Sequence, residues 1–214
     1  MFYDITAFII SCLLILAYYI YLGWRTRRAP NYSVHTLNAR VRKQWVGMIM
    51  GKGTMGILAV QTLRNSVMAA NFMASTAILL IIGTLNLSEK IGQWALDWHP
   101  NVLAYTVSSE LWQIKLGLLL LDFSIAFYYF SMAIRFFNHV GYMINLPDDG
   151  STSNTLAMQT CVYLNRAGSC YTFGVRTFFF SLPIILWFLG PYFLMLATLM
   201  LIAALAMLDK APSC

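Results

Sequence analysis

The sequence predicts an all-α integral membrane protein with four transmembrane helices and an amphipathic interfacial helix on the cytoplasmic side. Three observations support this prediction: 59% of the 214 residues are hydrophobic, 10% are charged, and long apolar stretches recur along the chain. A soluble domain carries about 25% charged residues, and a helix needs about 20 apolar residues to cross a bilayer. The composition therefore excludes a water-soluble globule, and residues 1–214 are interpreted as a single membrane domain.

Four stretches are long and apolar enough to be transmembrane helices, and they are residues 5–24, 65–88, 111–137 and 182–207. The first two carry no charged residue, whereas the third contains Asp122 near its middle. The uncharged run around the fourth covers 32 residues, or about 48 Å of helix, which exceeds what one upright helix crosses. We therefore place Pro183 in the first turn of the fourth span and a kink at Gly190-Pro191.

The basic residues indicate the orientation of the chain. Eleven of the 14 Lys and Arg residues fall in or beside the predicted cytoplasmic connections, residues 25–64 and 138–181, and three fall on the other side. This bias predicts a multi-pass protein of the cell (inner) membrane with both termini on the outer (periplasmic) side. The basic charges suit anionic lipid headgroups at the cytoplasmic face, so we expect the lipid bilayer as a partner and no nucleic acid.

The first cytoplasmic connection contains the predicted interfacial helix. Leu37, Val41, Trp45 and Met48 recur at helical spacing with basic residues around the other face, a pattern typical of a helix lying among headgroups. A docking face for a partner protein is the alternative interpretation. Gly51 begins the glycine-rich break that ends this helix.

Asp122 is the most costly residue in the predicted membrane domain. A charge near the middle of a span costs about 2.5–3.5 kcal/mol on insertion scales, and Lys115 is about 10 Å away along the helix. Asp122 is therefore a structural carboxyl, a group in a hydrated cavity or at a subunit interface, or a proton or ion relay. In the structural case, Ser75, Thr76 or Ser124 is the expected hydrogen-bond partner.

A second group of polar residues lies at the predicted cytoplasmic ends of the spans. Its members carry guanidinium, amide or imidazole donors suited to a phosphate or carboxylate, and they are Arg64, Asn65, Arg135, Asn138, His139, Asn165, Arg166 and Arg176. If they converge, they form an anion- or lipid-headgroup-binding pocket. Alternatively, these side chains snorkel to the membrane surface or cap the ends of helices, without forming a pocket. We predict no catalytic residue, no metal site and no cofactor, because the His and Cys residues stand at no ligand spacing.

Several motifs occur in order along the chain, and they are His35-Thr36-Leu37-Asn38, Gln61-Thr62-Leu63-Arg64-Asn65-Ser66, Asn138-His139-Val140-Gly141 and Leu164-Asn165-Arg166-Ala167-Gly168. Together they resemble the membrane-protein family catalogued as domain of unknown function 599. The resemblance extends from about residue 33 to residue 208. It implies a multi-span membrane protein with no assigned catalytic residues.

The sequence favours a non-catalytic function, as a subunit or accessory and assembly component of a membrane complex or homo-oligomer. Ser66, Ala70 and Ala74 recur every four residues and allow a neighbouring helix, from the same chain or from another subunit, to approach closely. We expect the partner to be the chain itself or another membrane protein. The alternative is a small-solute, ion or proton transporter or channel that uses Asp122 and the cytoplasmic Arg, Asn and His residues.

Overall fold

The computed structural model describes residues 2–29, 32–51, 56–97, 109–146 and 153–211. Six helices follow one another in this part of the chain: α1 (Phe2–Arg28), α2 (Val34–Gly51), α3 (Gly56–Asp97), α4 (Ser109–Ile144), α5 (Ser153–Trp187) and α6 (Pro191–Asp209). All except α2 are long and apolar enough to cross a membrane. The predicted all-α class with membrane-spanning helices is thus confirmed.

The structure contains five candidate spans where the sequence predicts four. The predicted spans 5–24, 65–88 and 111–137 lie within α1, α3 and α4. The difference arises in the last third of the chain, where α5 and α6 are both long and apolar enough to cross a membrane.

A tight turn at Gly190 divides the fourth predicted span in two. α5 ends at Trp187 and α6 begins at Pro191, so the prediction of one kinked helix over residues 182–207 is wrong. Gly190 has φ 145°, a backbone conformation that glycine adopts because it has no Cβ. Pro183 lies inside α5 rather than in a first turn. The chain therefore reverses direction at Gly190, and α5 and α6 form an antiparallel pair.

α5 also occupies most of residues 138–181, which the sequence predicts as a cytoplasmic connection. Its hydropathy is the lowest of the five candidate spans, and Arg166 and Arg176 interrupt its apolar pattern. Close packing compensates: a Cβ on Gly174 would lie 2.8–3.0 Å from the ring of Phe130 in α4. Such close approach of helices supplies the van der Waals contacts that stabilise helix pairs in lipid.

The small residues of α3 pack within the same chain. Ala70 and Ala74 are 0% and 7% exposed, and Ala74 belongs to one buried cluster with Ala126 and Phe130 of α4. Ser66, the third predicted member of this row, is half-buried. The close neighbour that the row predicts is therefore α4.

α1 runs parallel to α6, which places the two ends of the described chain at opposite ends of the helical array. Ala7 and Leu194 belong to one buried cluster near the start of both helices. At the other end, the Tyr18 hydroxyl donates to the Asp209 carboxylate at 2.7 Å, and the chain after α6 pairs with the chain before α2. The side of the membrane on which each terminus lies stays a prediction.

Three of the helices are longer than a bilayer is thick. α3, α4 and α5 contain 42, 36 and 35 residues, or about 63, 54 and 52 Å, whereas the hydrocarbon core is about 30 Å thick. α6 has 19 residues, or about 28 Å, and matches that core. Where α6 ends, the longer helices continue and pack with α2 around a cluster that includes Val46, Leu63, Val140 and Leu164. We call this part the helical extension, and it comprises residues 34–51, 56–66, 136–146 and 153–168.

α2 occurs where the sequence predicts an amphipathic helix, but it buries a different face. Val46 and Ile49 are buried in the extension, whereas Leu37, Val41 and Met48 are 36%, 53% and 42% exposed. The rotation of α2 about its axis is therefore set by packing against the long helices. The location of its exposed face among lipid headgroups stays a prediction.

Cysteine labelling should distinguish the two topologies. In a cysteine-free background, a membrane-impermeant maleimide should reach Lys210→Cys and Ala29→Cys from the same side, and Tyr3→Cys from the opposite side, because five helices cross. All three positions are exposed. If positions 3 and 210 are labelled from the same side, the result contradicts five crossings and supports the four-span topology.

Candidate functional site

Polar contacts concentrate where the ends of α1 and α6 meet α2 and α5. We call this region the junction site and define it by six residues, His35, Arg42, Asn165, Ser169, Arg176 and Asp209. It lies at the level where α6 ends and beside the helical extension.

Ser33 fixes the start of α2 and thereby the position of His35. The Ser33 carbonyl accepts the Leu37 amide hydrogen at 3.1 Å, and the Ser33 hydroxyl accepts that of His35 at 3.3 Å. A side-chain oxygen at this position satisfies an amide that the first helical turn leaves without a partner. His35 then faces α5, where its Nε2 lies 3.1 Å from the Ser169 hydroxyl.

Arg42 lies two turns further along α2 and is held by a neutral partner. Its Nε donates to the Asn165 side-chain oxygen at 2.8 Å, and the Asn165 amide donates to the Cys161 sulfur at 3.6 Å. The guanidinium occupies space left by Gly168, since a Cβ there would lie 2.5 Å from Nη1 of Arg42. Within the described ranges, no ion pair to Arg42 is present.

Asp209 connects three helices at the junction site. One oxygen accepts a hydrogen bond from the Arg176 guanidinium of α5, and the other accepts the Tyr18 hydroxyl of α1 at 2.7 Å. The Arg176 guanidinium carbon also lies 5.8 Å from the centre of the Tyr19 ring. Asp209 is 7% exposed, and a carboxylate this buried requires both the cation and the second hydrogen bond.

Two adjoining cavities open at the junction site, with volumes of about 380 and 200 Å³. Both are lined by His35, Thr172 and Arg176. The larger cavity extends to Arg27, and the smaller one extends to Arg42. The larger volume falls in the range of about 300–1,000 Å³ that is typical of ligand pockets.

Burial and the neighbouring arginines favour the neutral form of the His35 imidazole. Burial lowers the pKa of His35, the positive charges of Arg42 and Arg176 lower it further, and Asp209 acts in the opposite direction. Burial also lowers the pKa of Arg42, but a guanidinium remains protonated in proteins. The two cavities together are therefore lined by three permanent cations, Arg27, Arg42 and Arg176, and by the imidazole of His35.

The eight residues predicted to bind an anion do not form one site. Asn165 and Arg176 belong to the junction site, whereas Arg135, Asn138 and His139 line an open groove of about 370 Å³ along α4. The remaining three have exposed side chains, and they are Arg64, Asn65 and Arg166. The structure therefore brings two predicted residues together with four that were not predicted, which are His35, Arg42, Ser169 and Asp209.

A sequence signal for part of the junction site existed. His35, Asn38 and Arg42 recur at i, i+3 and i+7, so they lie along one face of α2. The predicted apolar face of the same helix obscured this pattern. The signal for Asp209 is weaker: it is the acidic residue that directly follows the uncharged residues 177–208.

Asp122 is a buried carboxyl of α4, and no hydrogen bond joins its Oδ2 to the predicted partners. It is 9% exposed, and its Oδ2 has no hydrogen-bond partner among the described residues. Thr76 and Ser124 each donate to a carbonyl of their own helix at 2.8 Å, and Ser75 is exposed. None of the described residues thus satisfies this carboxylate oxygen.

Lys115 has a partner at the opposite end of the array from the junction site. Its Nζ donates to the Trp187 carbonyl at 2.9 Å and to the Asp4 carboxylate at 3.5 Å, and the Trp187 indole donates to the same carboxylate oxygen at 3.2 Å. Lys115 and Asp4 are 2% and 1% exposed. These contacts join α1, α4 and α5.

The junction site combines groups that can donate hydrogen bonds to a ligand. It offers guanidinium, imidazole and hydroxyl donors around open space. In the part of the chain that the structure describes, no three His, Cys, Asp or Glu side chains come together to hold a metal ion.

These features define a multi-span helical membrane protein with a basic polar site at one end of its bundle. Residues 6–213 match the family described as "Protein of unknown function, DUF599", and the chain belongs to that family. The motifs identified in the sequence predict this membership, which is confirmed. No curated protein and no solved structure matches the chain significantly.

Replacing Lys115 with Met should lower the free energy of unfolding by about 3–5 kcal/mol, because the buried Asp4 carboxylate would lose the cation that offsets its charge. The double variant Asp4→Leu/Lys115→Met should recover most of the loss. Equilibrium unfolding in mixed micelles measures both. A double variant as unstable as Lys115→Met would contradict this role of the pair.

Acidification should destabilise the fold through His35. Because the folded state lowers its pKa below the usual 6.5, this group contributes stability above pH 6.5 that is lost as the pH falls through the folded pKa. Between about pH 7.5 and about pH 5.5, the midpoint of thermal unfolding should fall less in His35→Gln than in the wild type. Equal decreases would show that His35 titrates as it does in the unfolded chain.

Proposed function

We propose that the chain is a non-catalytic component of a membrane assembly and that the helical extension holds its partner, a second copy or another membrane protein. The extension continues beyond α6, which already matches the hydrocarbon thickness, so lipid tails do not cover it. It exposes Ile57, Tyr142 and Met158 to 89%, 77% and 71%. Large apolar side chains exposed outside the hydrocarbon layer are typical of protein contact surfaces. This exposure is the observation that carries the proposal.

The proposed orientation places the extension in the cytoplasm of a cell (inner) membrane and the N-terminus outside. With five crossings, Lys210 joins the extension side, so twelve of the 14 Lys and Arg residues flank the spans there and only Lys90 and Lys115 flank them on the other side. The positive-inside rule assigns the basic side to the cytoplasm. In this orientation Arg64 and Arg135, both exposed, contact anionic headgroups.

Mild extraction followed by native mass spectrometry tests the assembly proposal. The wild-type chain should leave the membrane as a fixed oligomer or with a fixed partner. Tyr142→Ser should weaken that association by about 30-fold, since a buried interface tyrosine typically contributes about 2 kcal/mol. Tyr192→Ser is the matched control, because Tyr192 has a similar exposure of 81% but begins α6 at the other end of the array. A lone wild-type protomer, or equal losses in both variants, would refute the proposal.

Transport is a second candidate function, which the buried carboxyl of Asp122 favours. A carboxyl without a hydrogen-bond partner for one oxygen, inside a spanning helix, is typical of proton and ion pathways. Under this alternative, Asp122→Asn abolishes proton or cation flux in proteoliposomes and leaves the native mass spectrum unchanged. If the wild type shows no flux but remains assembled, the result excludes transport and supports the assembly function.

A further inference from the structure

We propose that the junction site binds a phosphate group, carried by a lipid headgroup or by a soluble phosphate compound, between Arg42 of α2 and Arg176 of α5. The inference is independent of the assembly proposal, since it concerns the bundle side of the extension and uses none of its exposed apolar residues. It also replaces the predicted anion pocket, because Arg42 and His35 are new members of the site.

The charge balance of the two cavities favours an anion. Arg27, Arg42 and Arg176 line them, while Asp209 is the one acidic residue among the described lining residues. Asp209 is already bound by Arg176 and Tyr18. The surplus of two positive charges matches a phosphate monoester or inorganic phosphate, which carries a charge of about −1.5 to −2 at pH 7.

The position of Arg42 is fixed before a ligand arrives. Its Nε is engaged by Asn165 at 2.8 Å, which leaves the two terminal nitrogens as donors. The gap at Gly168 holds the guanidinium against α5. A guanidinium oriented in this way loses little side-chain entropy when it binds an oxyanion, and its planar donors suit phosphate oxygens.

The remaining donors approach from other directions. Arg176 projects from α5 and borders both cavities, and its carboxylate partner occupies only part of the guanidinium. His35 borders both cavities as well, with its Nε2 beside the Ser169 hydroxyl. Donors arranged around a volume suit a tetrahedral phosphate better than a planar carboxylate. A bound dianion would also favour the protonated form of His35, which would add one more cation to the three arginines.

The test uses the full chain in nanodiscs of phosphatidylcholine, with and without phosphatidic acid. Binding of inorganic phosphate is measured by calorimetry in the first, and retention of phosphatidic acid by native mass spectrometry in the second. Arg42→Gln should weaken binding by about tenfold or more, as expected for loss of a charge-assisted hydrogen bond. Lys43→Gln makes the same charge change on the same helix but lines neither cavity, and it should stay within about twofold.

A second variant keeps the test valid if Arg42→Gln does not fold. Gly168→Ala retains every charge but forces the Arg42 guanidinium away from α5, so it should weaken binding as Arg42→Gln does. Binding of inorganic phosphate identifies a soluble ligand, and retention of phosphatidic acid alone identifies a lipid headgroup. The proposal is overturned if neither probe binds, if Arg42→Gln and Lys43→Gln lose binding equally, or if Gly168→Ala binds as the wild type does.

Discussion

The contact between Arg176 and Asp209 holds together the end of the bundle on which the junction site depends. Asp209 is the last residue of α6, and its carboxylate also receives the Tyr18 hydroxyl of α1. Once these helices meet, the chain after α6 can pair with Ser33, whose carbonyl and hydroxyl then start α2. One buried carboxylate thereby connects the membrane-spanning helices to the helix that carries His35 and Arg42.

The two ends of the array differ in the balance between buried cations and carboxylates. At the end of Asp4 and Lys115, one cation meets one anion, and Trp187 adds a carbonyl that accepts from Lys115 and an indole that donates to Asp4. At the junction site, cations outnumber carboxylates around open cavities. A neutral, closed arrangement suits a structural clamp, whereas an open one with surplus charge suits a ligand. The helix lengths add to this asymmetry, because α3, α4 and α5 extend beyond the end of α6 on the junction side.

Hydropathy alone predicts the helices in which apolar residues dominate, so α1, α3 and α4 follow from the sequence. It gives a weaker signal for α5, whose hydropathy is the lowest of the five candidate spans and whose apolar pattern is interrupted by Arg166 and Arg176. The close approach of Gly174 to Phe130, which packs α5 against α4, has no counterpart in hydropathy. The site shows the same limit. Arg176 is recognisable as a basic residue beside an apolar run, but the role of Arg42 depends on the rotation of α2. Tertiary packing sets that rotation, so the spacing of His35 and Arg42 shows that they share a face of α2 but not that this face meets α5.

The pairing of α1 with α6 has a consequence for the order in which the protein is made. α1 is synthesised before α6, and the α3–α4 and α4–α5 hairpins can form from neighbouring segments before α1 has α6 to pack against. The carboxylate that receives Tyr18 and Arg176 is synthesised after both of these residues, at the end of α6. A nascent chain therefore carries an arginine without its carboxylate partner, and a first helix without its α6 neighbour, until Asp209 has been synthesised.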